Sequence, residues 1–209
     1  MTDHPLEPGA VTVLMSVYRN TTADELKHAL DSINAQTRPA ERVLVVKDGP
    51  VEGDVEKLLR DVDTVTLAQN SGLGIALHEG LKHVATEFVA RLDSDDAAFP
   101  QRLEQQLAFM ADHPDVAALG TAVQEFDGDT LGGIRRLPET HDGIARYVKI
   151  NSPLNHPSVL MRTADVRAVG GYQPMHNMED YDLWARLIAA GKKLYNLHEP
   201  LTYFRVNDA

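Results

Sequence analysis

Short apolar runs and amphipathic stripes alternate through the first half of the chain. Val11–Tyr18 is apolar on both faces of an extended backbone, which predicts a central strand. A polar loop follows, and Thr22 is placed to cap a helix whose first turn holds Asp24 and Glu25. Leu26, Leu30 and Ile33 form the inner stripe of that helix. Val43–Val46 predicts a second strand, followed by a helix over 52–60 carrying Val55, Leu58 and Leu59. Thr64–Leu67 predicts a third strand, followed by a helix with Leu77, Leu81 and Val84 on one face. Phe88–Leu92 predicts a fourth, and Pro100 opens a helix with Leu103, Leu107 and Met110 inward. Val116–Gly120 and Val123–Phe126 predict two more strands before the turn signal Asp127-Gly128. Such alternation implies an α/β fold with a Rossmann-like, mostly parallel central sheet flanked by helices.

The rest of the chain is less regular. A helix is expected over 141–148, then a loop at Asn151–Pro157 and a short strand at Ser158–Met161. A short helix ends at Gly170-Gly171. Glu179–Ala190 is a clear amphipathic helix, with Leu183, Trp184, Leu187 and Ile188 inward and Gly191 as its stop. Lys193–Leu197 and Leu201–Val206 predict closing strands. No repeat or linker divides the chain. It is therefore expected as a tail (1–10) and a single domain (11–209), whose second half from residue 129 packs on the first.

The strand ends carry the candidate chemistry. Phe88–Leu92 runs directly into Asp93, Asp95 and Asp96. In an open α/β sheet, ligands bind at the carboxyl ends of the strands. Asp93 and Asp95 are two residues apart and face the same way in extended chain, where a hard divalent cation, Mn²⁺ or Mg²⁺, would relieve their repulsion. A solvated acidic turn explains the same residues equally well. Asp48-Gly49-Pro50 ends the second strand and suits either a contact to a pyrimidine imide or a plain Asp-Gly turn. Asn70-x-Gly72-x-Gly74 opens the third helix and would let backbone approach a nucleotide, although a glycine pair alone is weak evidence. Glu179-Asp180 suits the first turn of a helix by charge alone, and a general base equally by chemistry. Trp184, His78 and His156 are simplest as structural residues.

Composition removes several function classes. The net charge of −11 argues against a nucleic-acid groove. The absence of cysteine removes disulfides and thiolate metal sites and fits a cytoplasmic protein. No apolar run approaches the roughly 20 residues of a transmembrane segment. Met1–Gly9 has no basic-then-apolar leader pattern.

Taken together, the motifs resemble the family 2 inverting glycosyltransferases of GT-A fold, of the bacterial surface-polysaccharide type. The likeness rests on Val13-Leu-Met-Ser-Val-Tyr18, Val45-Val-Lys-Asp-Gly-Pro50, Asn70–Gly80, Arg91-Leu-Asp-Ser-Asp-Asp96, Gly170-Gly-Tyr172 and Glu179-Asp-Tyr-Asp-Leu-Trp184, in that order. It implies a nucleotide-sugar-binding half at 11–128 and an acceptor-binding half at 129–209. Tyr18, Asp48, Asn70, Gly72, Arg91, Asp93 and Ser94 would hold the nucleotide-sugar. Asp95 would ligate the divalent cation bridging the diphosphate, Asp180 would act as base, and Glu179 would stand beside it. The implied donor is a UDP-sugar. The implied acceptor is a hydroxyl, with a lipid-linked glycan at the inner membrane face among the candidates. The chain departs from the family at Lys47, where many members have aspartate, at Leu77-His78, where many have Arg-Asn, and at Asn207, where many carry a metal-ligating histidine. A sugar-phosphate nucleotidyltransferase is disfavoured because Ser16–Asn20 lacks glycine. A non-catalytic nucleotide- or glycan-binding module stays open because of those departures.

Overall fold

A computed structural model describes residues 5–206. The elements run β1 (Glu7–Val17), α1 (Ala23–Asn34), β2 (Arg42–Asp48), α2 (Gly53–Leu58), β3 (Asp63–Leu67), α3 (Leu73–Lys82), β4 (Thr86–Arg91), β5 (Ala97–Ala98) and α4 (Arg102–Asp112). The second half contains β6 (Val116–Asp127), β7 (Thr130–Arg135), α5 (His141–Tyr147), β8 (Leu160–Arg162), α6 (Thr163–Ala168), α7 (Glu179–Ala189) and β9 (Lys193–Arg205). A 3₁₀ turn at His156–Ser158 precedes β8.

The strands form one sheet in the order β3-β2-β1-β4-β8-β6-β9-β5, with β7 paired to β6. β3, β2, β1 and β4 are mutually parallel, and this is the Rossmann-like core of the sheet. β8 enters antiparallel to both β4 and β6, while β6 and β9 pair in parallel. Both sheet faces are covered. Leu14, Leu44 and Val46 pack against Leu77, Leu81, Leu183 and Trp184 on one side. Val13, Met15 and Val45 pack against Leu26, Ile33, Leu103 and Met110 on the other. Consecutive residues Val13, Leu14 and Met15 thus serve opposite cores, which is why all three are apolar.

Three boundaries differ from expectation. β1 begins inside the stretch read as a tail, because Glu7 pairs with Thr86 and donates its N–H to Ala85 O at 2.8 Å. The two strands read over 116–126 are one strand, and so are the two read after Lys193, each continued through irregularities in the β6·β9 register. β5 and β7 were not foreseen, the first for its length and the second because it is exposed along nearly its whole course.

Local signals explain where the helices start. Thr22 and Glu25 form a capping box at the head of α1, Glu25 N donating to Thr22 Oγ1 at 3.3 Å and Thr22 N to Glu25 Oε2 at 3.3 Å. This box fixes Glu25 beside the C-terminal ends of the parallel strands, where it lines the main cavity.

Candidate active site

The C-terminal ends of β1, β2 and β4 frame a cavity of about 550 Å³. Tyr18, Asp48, Asn70, Gly72, Asp93, Ser94 and Asp95 all line it, so seven of the expected contacts meet at one place. Asp48 is 4% exposed. Its Oδ1 accepts from Ser71 N at 2.7 Å and its Oδ2 from Gly72 N at 2.9 Å. The acid ending β2 therefore shapes the loop that enters α3, and Asn70 Nδ2 returns a bond to the Asp48 carbonyl at 3.4 Å. Gly49 lies at φ 85°, and a Cβ there would stand 2.7 Å from Asn70 N. Only glycine permits that approach.

The end of β4 is built differently. Asp95 forms no ion pair among the described residues, and burial followed by the charge of Asp93 pushes its carboxyl above the usual range. Asp96 Oδ1 accepts from Arg205 N at 2.8 Å, while its buried Oδ2 has no partner among the described residues. Burial, then the Asp93 charge, raises Asp96 well above the ordinary value. Three acids are thus gathered with less positive charge than they need. Among the described residues no three His, Cys, Asp or Glu side chains form a ready metal cluster. The donor set fits a Mg²⁺- or Mn²⁺-type ion that takes one or two carboxylates from protein and its other oxygens from phosphate and water.

Arg91 corrects an expectation. It was expected to contact ligand, but it is fully buried and its guanidinium donates to Leu92 O and to Asp93 Oδ1. Strand alternation turns it away from the face of Phe88, Ala90 and Leu92. It positions Asp93 from behind. Lys47 pairs with Glu56 at 3.1 Å, and His78 Nδ1 bonds Tyr172 O at 2.8 Å. These two departures are accounted for by structural contacts. Asn207 lies outside the described residues.

A second cavity, of about 500 Å³, adjoins the first and shares Leu73, Asp93 and Phe204 with it. Glu179 and Asp180, at the N-terminus of α7, line this second space. Asp180 Oδ2 accepts from Ser152 Oγ at 2.9 Å. Burial raises the Glu179 carboxyl, with the Asp180 charge adding to it. α7 comes this close to α3 because residue 74 is glycine: a Cβ would stand 2.5 Å from Gln173 O and 3.0 Å from Glu179 Cβ. His156 also lines the second cavity and pairs its Nε2 with Tyr172 Oη at 2.9 Å. Burial lowers its pKa well below 6.5, which keeps the imidazole neutral.

Several cavity residues carried no usable sequence signal. Thr21, Asn177, Phe204 and Arg205 reach the first cavity, and Arg135, Arg136 and Ser152 reach the second. They lie on a loop, a hairpin and the last strand, whose pairing periodicity does not reveal.

A mostly parallel sheet whose strand ends gather acids around one cavity, with a second opening beside it, is the architecture of the GT-A glycosyltransferases. The chain belongs to that class: the family model described as Glycosyl transferase family 2 matches residues 12–168, and the protein is a member of this family. It is 36% identical over 200 residues to the amylovoran biosynthesis glycosyltransferase AmsE of Erwinia amylovora, covering 93% of this chain and 75% of the relative. It is 34% identical over 203 residues to the UDP-Gal:alpha-D-GlcNAc-diphosphoundecaprenol beta-1,3-galactosyltransferase of Escherichia coli, covering 93% and 73%. A crystal structure of S. aureus TarS 1–349 in complex with UDP-GlcNAc superposes with a TM-score of 0.78 at 20% identity, covering 96% of this chain but 59% of that one. The TarS likeness speaks for the fold. No helix among the described residues is long and apolar enough to cross a membrane.

Proposed function

We propose that the protein transfers a sugar from a UDP-sugar to an acceptor hydroxyl during surface-polysaccharide assembly, by a single inverting displacement. The observation that carries this reading is the adjacency of the two cavities. Asp48 and Asp95 line the first, Asp180 lines the second, and Asp93 belongs to both. A donor in the first and an acceptor in the second would meet at their shared wall. The galactosyltransferase relative uses UDP-Gal, which supports the donor class, and AmsE serves amylovoran biosynthesis, which supports the setting.

In this mechanism the nucleotide lies against the β1, β2 and β4 ends, within reach of Tyr18, Asn70, Gly72 and Ser94. Asp48 holds the loop amides in place and keeps lone pairs free toward the base. A divalent cation at Asp95, completed by substrate oxygens, would stabilise charge on the departing diphosphate. Asp180 accepts the proton of the attacking hydroxyl, and the Ser152 hydroxyl orients the carboxylate for that task. The oxygen attacks the anomeric carbon as the bond to UDP breaks, and UDP leaves on the opposite face. Glu179 shapes the acceptor side.

Transfer and donor binding together test the reading. Asp180→Asn is expected to retain UDP-sugar binding, seen as a Mn²⁺-dependent rise in melting temperature, and to lose about a hundredfold or more in transfer. Wild-type turnover in that variant would refute the base assignment. A protein that binds UDP-sugar with no transfer and no donor hydrolysis would instead be a binding module.

A further inference from the structure

His156 is held on several sides and open on one. The backbone around it is pinned: Asn155 Nδ2 donates to Thr121 O at 2.9 Å, and Ser158 Oγ to Asn155 O at 2.8 Å. Its ring meets the buried Trp184 edge-on, with centroids 6.0 Å apart, and its Nε2 lies 2.9 Å from Tyr172 Oη. Trp184 stands one turn after Asp180 on the same face of α7, and the loop that carries His156 also carries Ser152, the partner of Asp180. Loop and helix are therefore tied together along one wall of the second cavity. Nδ1 makes no hydrogen bond with any described residue and is not sealed from solvent. His156 lines the second cavity, so that is where this nitrogen opens.

The proton on the ring can be placed. Tyr172 is 1% exposed, and burial raises its pKa, so the phenol keeps its hydrogen. Among the described residues Nε2 is the sole hydrogen-bond partner of that hydroxyl. If Nε2 carried a hydrogen, the enclosed O–H would have no acceptor. The phenol therefore donates and Nε2 accepts. Burial, with the Arg91 charge adding to it, keeps the imidazole neutral, so its one proton sits on Nδ1. The fold thus turns a fixed N–H donor toward a cavity that also presents the carboxylates of Glu179 and Asp180.

We infer that His156 is a specificity-determining contact to the acceptor, its Nδ1–H donating to an oxygen of the acceptor sugar other than the attacking one. The inference rests on the transferase reading and deepens it. The acceptor must offer a lone pair at that place, from a hydroxyl or an amide oxygen, and an ammonium or a methylene there leaves the N–H unpaired. Tyr172 is the positioning residue behind this contact, because its hydroxyl holds the tautomer.

The test follows the imidazole nitrogens by NMR in the full chain carrying isotope-labelled histidine. With UDP and Mg²⁺ saturating, the chain is titrated with the octyl glycosides of glucose, galactose and N-acetylglucosamine. Before titration His156 is expected to be neutral with its proton on Nδ1, and at least one glycoside is expected to shift that signal. His156→Ala is expected to weaken that glycoside about three- to tenfold and to leave UDP affinity unchanged. His156→Asn places an amide nitrogen as many bonds from Cβ as Nδ1 and is expected to recover most of the loss. His156→Gln reaches toward the Nε2 position instead and is expected to recover none. Tyr172→Phe frees the tautomer and is expected to weaken the glycoside by a smaller factor than His156→Ala. A proton on Nε2 in the wild type would overturn the inference, as would an Nδ1 signal that no glycoside moves, or rescue by Gln equal to that by Asn. UDP-sugar turnover in parallel samples judges the transferase reading separately: turnover with an unmoved Nδ1 signal sinks the inference alone, and no turnover with any UDP-sugar sinks the reading.

Discussion

The ends of β2 and β4 follow the same rule in sequence and opposite rules in space. β2 ends in Asp48 itself, and β4 ends at Arg91, two residues before Asp93. At β2 the Asp48 carboxylate accepts two backbone N–H groups and shows the chain how to enter α3. At β4 Asp95 and Asp96 are crowded, half or fully buried, and raised by burial and by each other's neighbour Asp93. One acid is satisfied by the fold, whereas in the other cluster Asp95 has no ion pair and Asp96 Oδ2 no hydrogen bond among the described residues. A strand-end aspartate thus does not declare its task; the amides and charges around it do. The same division recurs at α7, where Asp180 accepts from Ser152 and its neighbour Glu179 is buried without an ion pair among the described residues.

The contrast can be broken by substitution. The largest effect is expected from Asp95→Asn, which should lower transfer about a hundredfold or more and abolish the Mn²⁺-dependent part of UDP binding, measured by turnover and by thermal shift. Its melting temperature without ligand should equal or exceed that of the wild type, because one repelling charge is gone. Asp48→Ala should do the reverse. It leaves the Ser71 and Gly72 amides without acceptors and should cost about 1–3 kcal/mol in denaturant unfolding before any ligand is considered. Equal destabilisation by both variants would erase the distinction.

A smaller effect tests Glu179 through pH. Its folded-state pKa lies above the ordinary 4.5, so between those values the folded chain holds more protons than the unfolded one. Stability from this residue is present at low pH and is lost as pH rises through that window. Glu179→Gln removes the dependence, so its melting temperature relative to the wild type should climb from pH 4.5 toward neutrality. A constant offset would mean that Glu179 is ionised without penalty.

Much of the donor side was legible because its elements announce themselves. Buried strands of a parallel sheet are apolar on both faces, and the residues just beyond them are placed at one edge by topology. Asp48, Asp93 and Asp95 could therefore be assigned to one edge before their contacts were known, whereas Asp180, in the first turn of α7, joined them only through the family resemblance. The other side was harder. β7 contains Gly132-Gly133 and is almost wholly exposed, so it gives no alternation. β9 passes through Glu199-Pro200, which punctuates the sequence as a loop does while the strand continues. Arg91 was assigned to ligand through the resemblance of its motif, whereas its buried guanidinium turns back to Leu92 O and Asp93 Oδ1. Arg135, Arg136 and Ser152 depend on tertiary pairing alone.

Leu73, Asp93 and Phe204 each face both cavities. A wall with two sides cannot respond to one occupant only. If UDP shifts the position of Phe204 or Asp93, the affinity for acceptor analogue changes by some factor, and thermodynamic reciprocity requires the analogue to change UDP affinity by that same factor. The two ligands would then be partners in a linkage carried by three side chains.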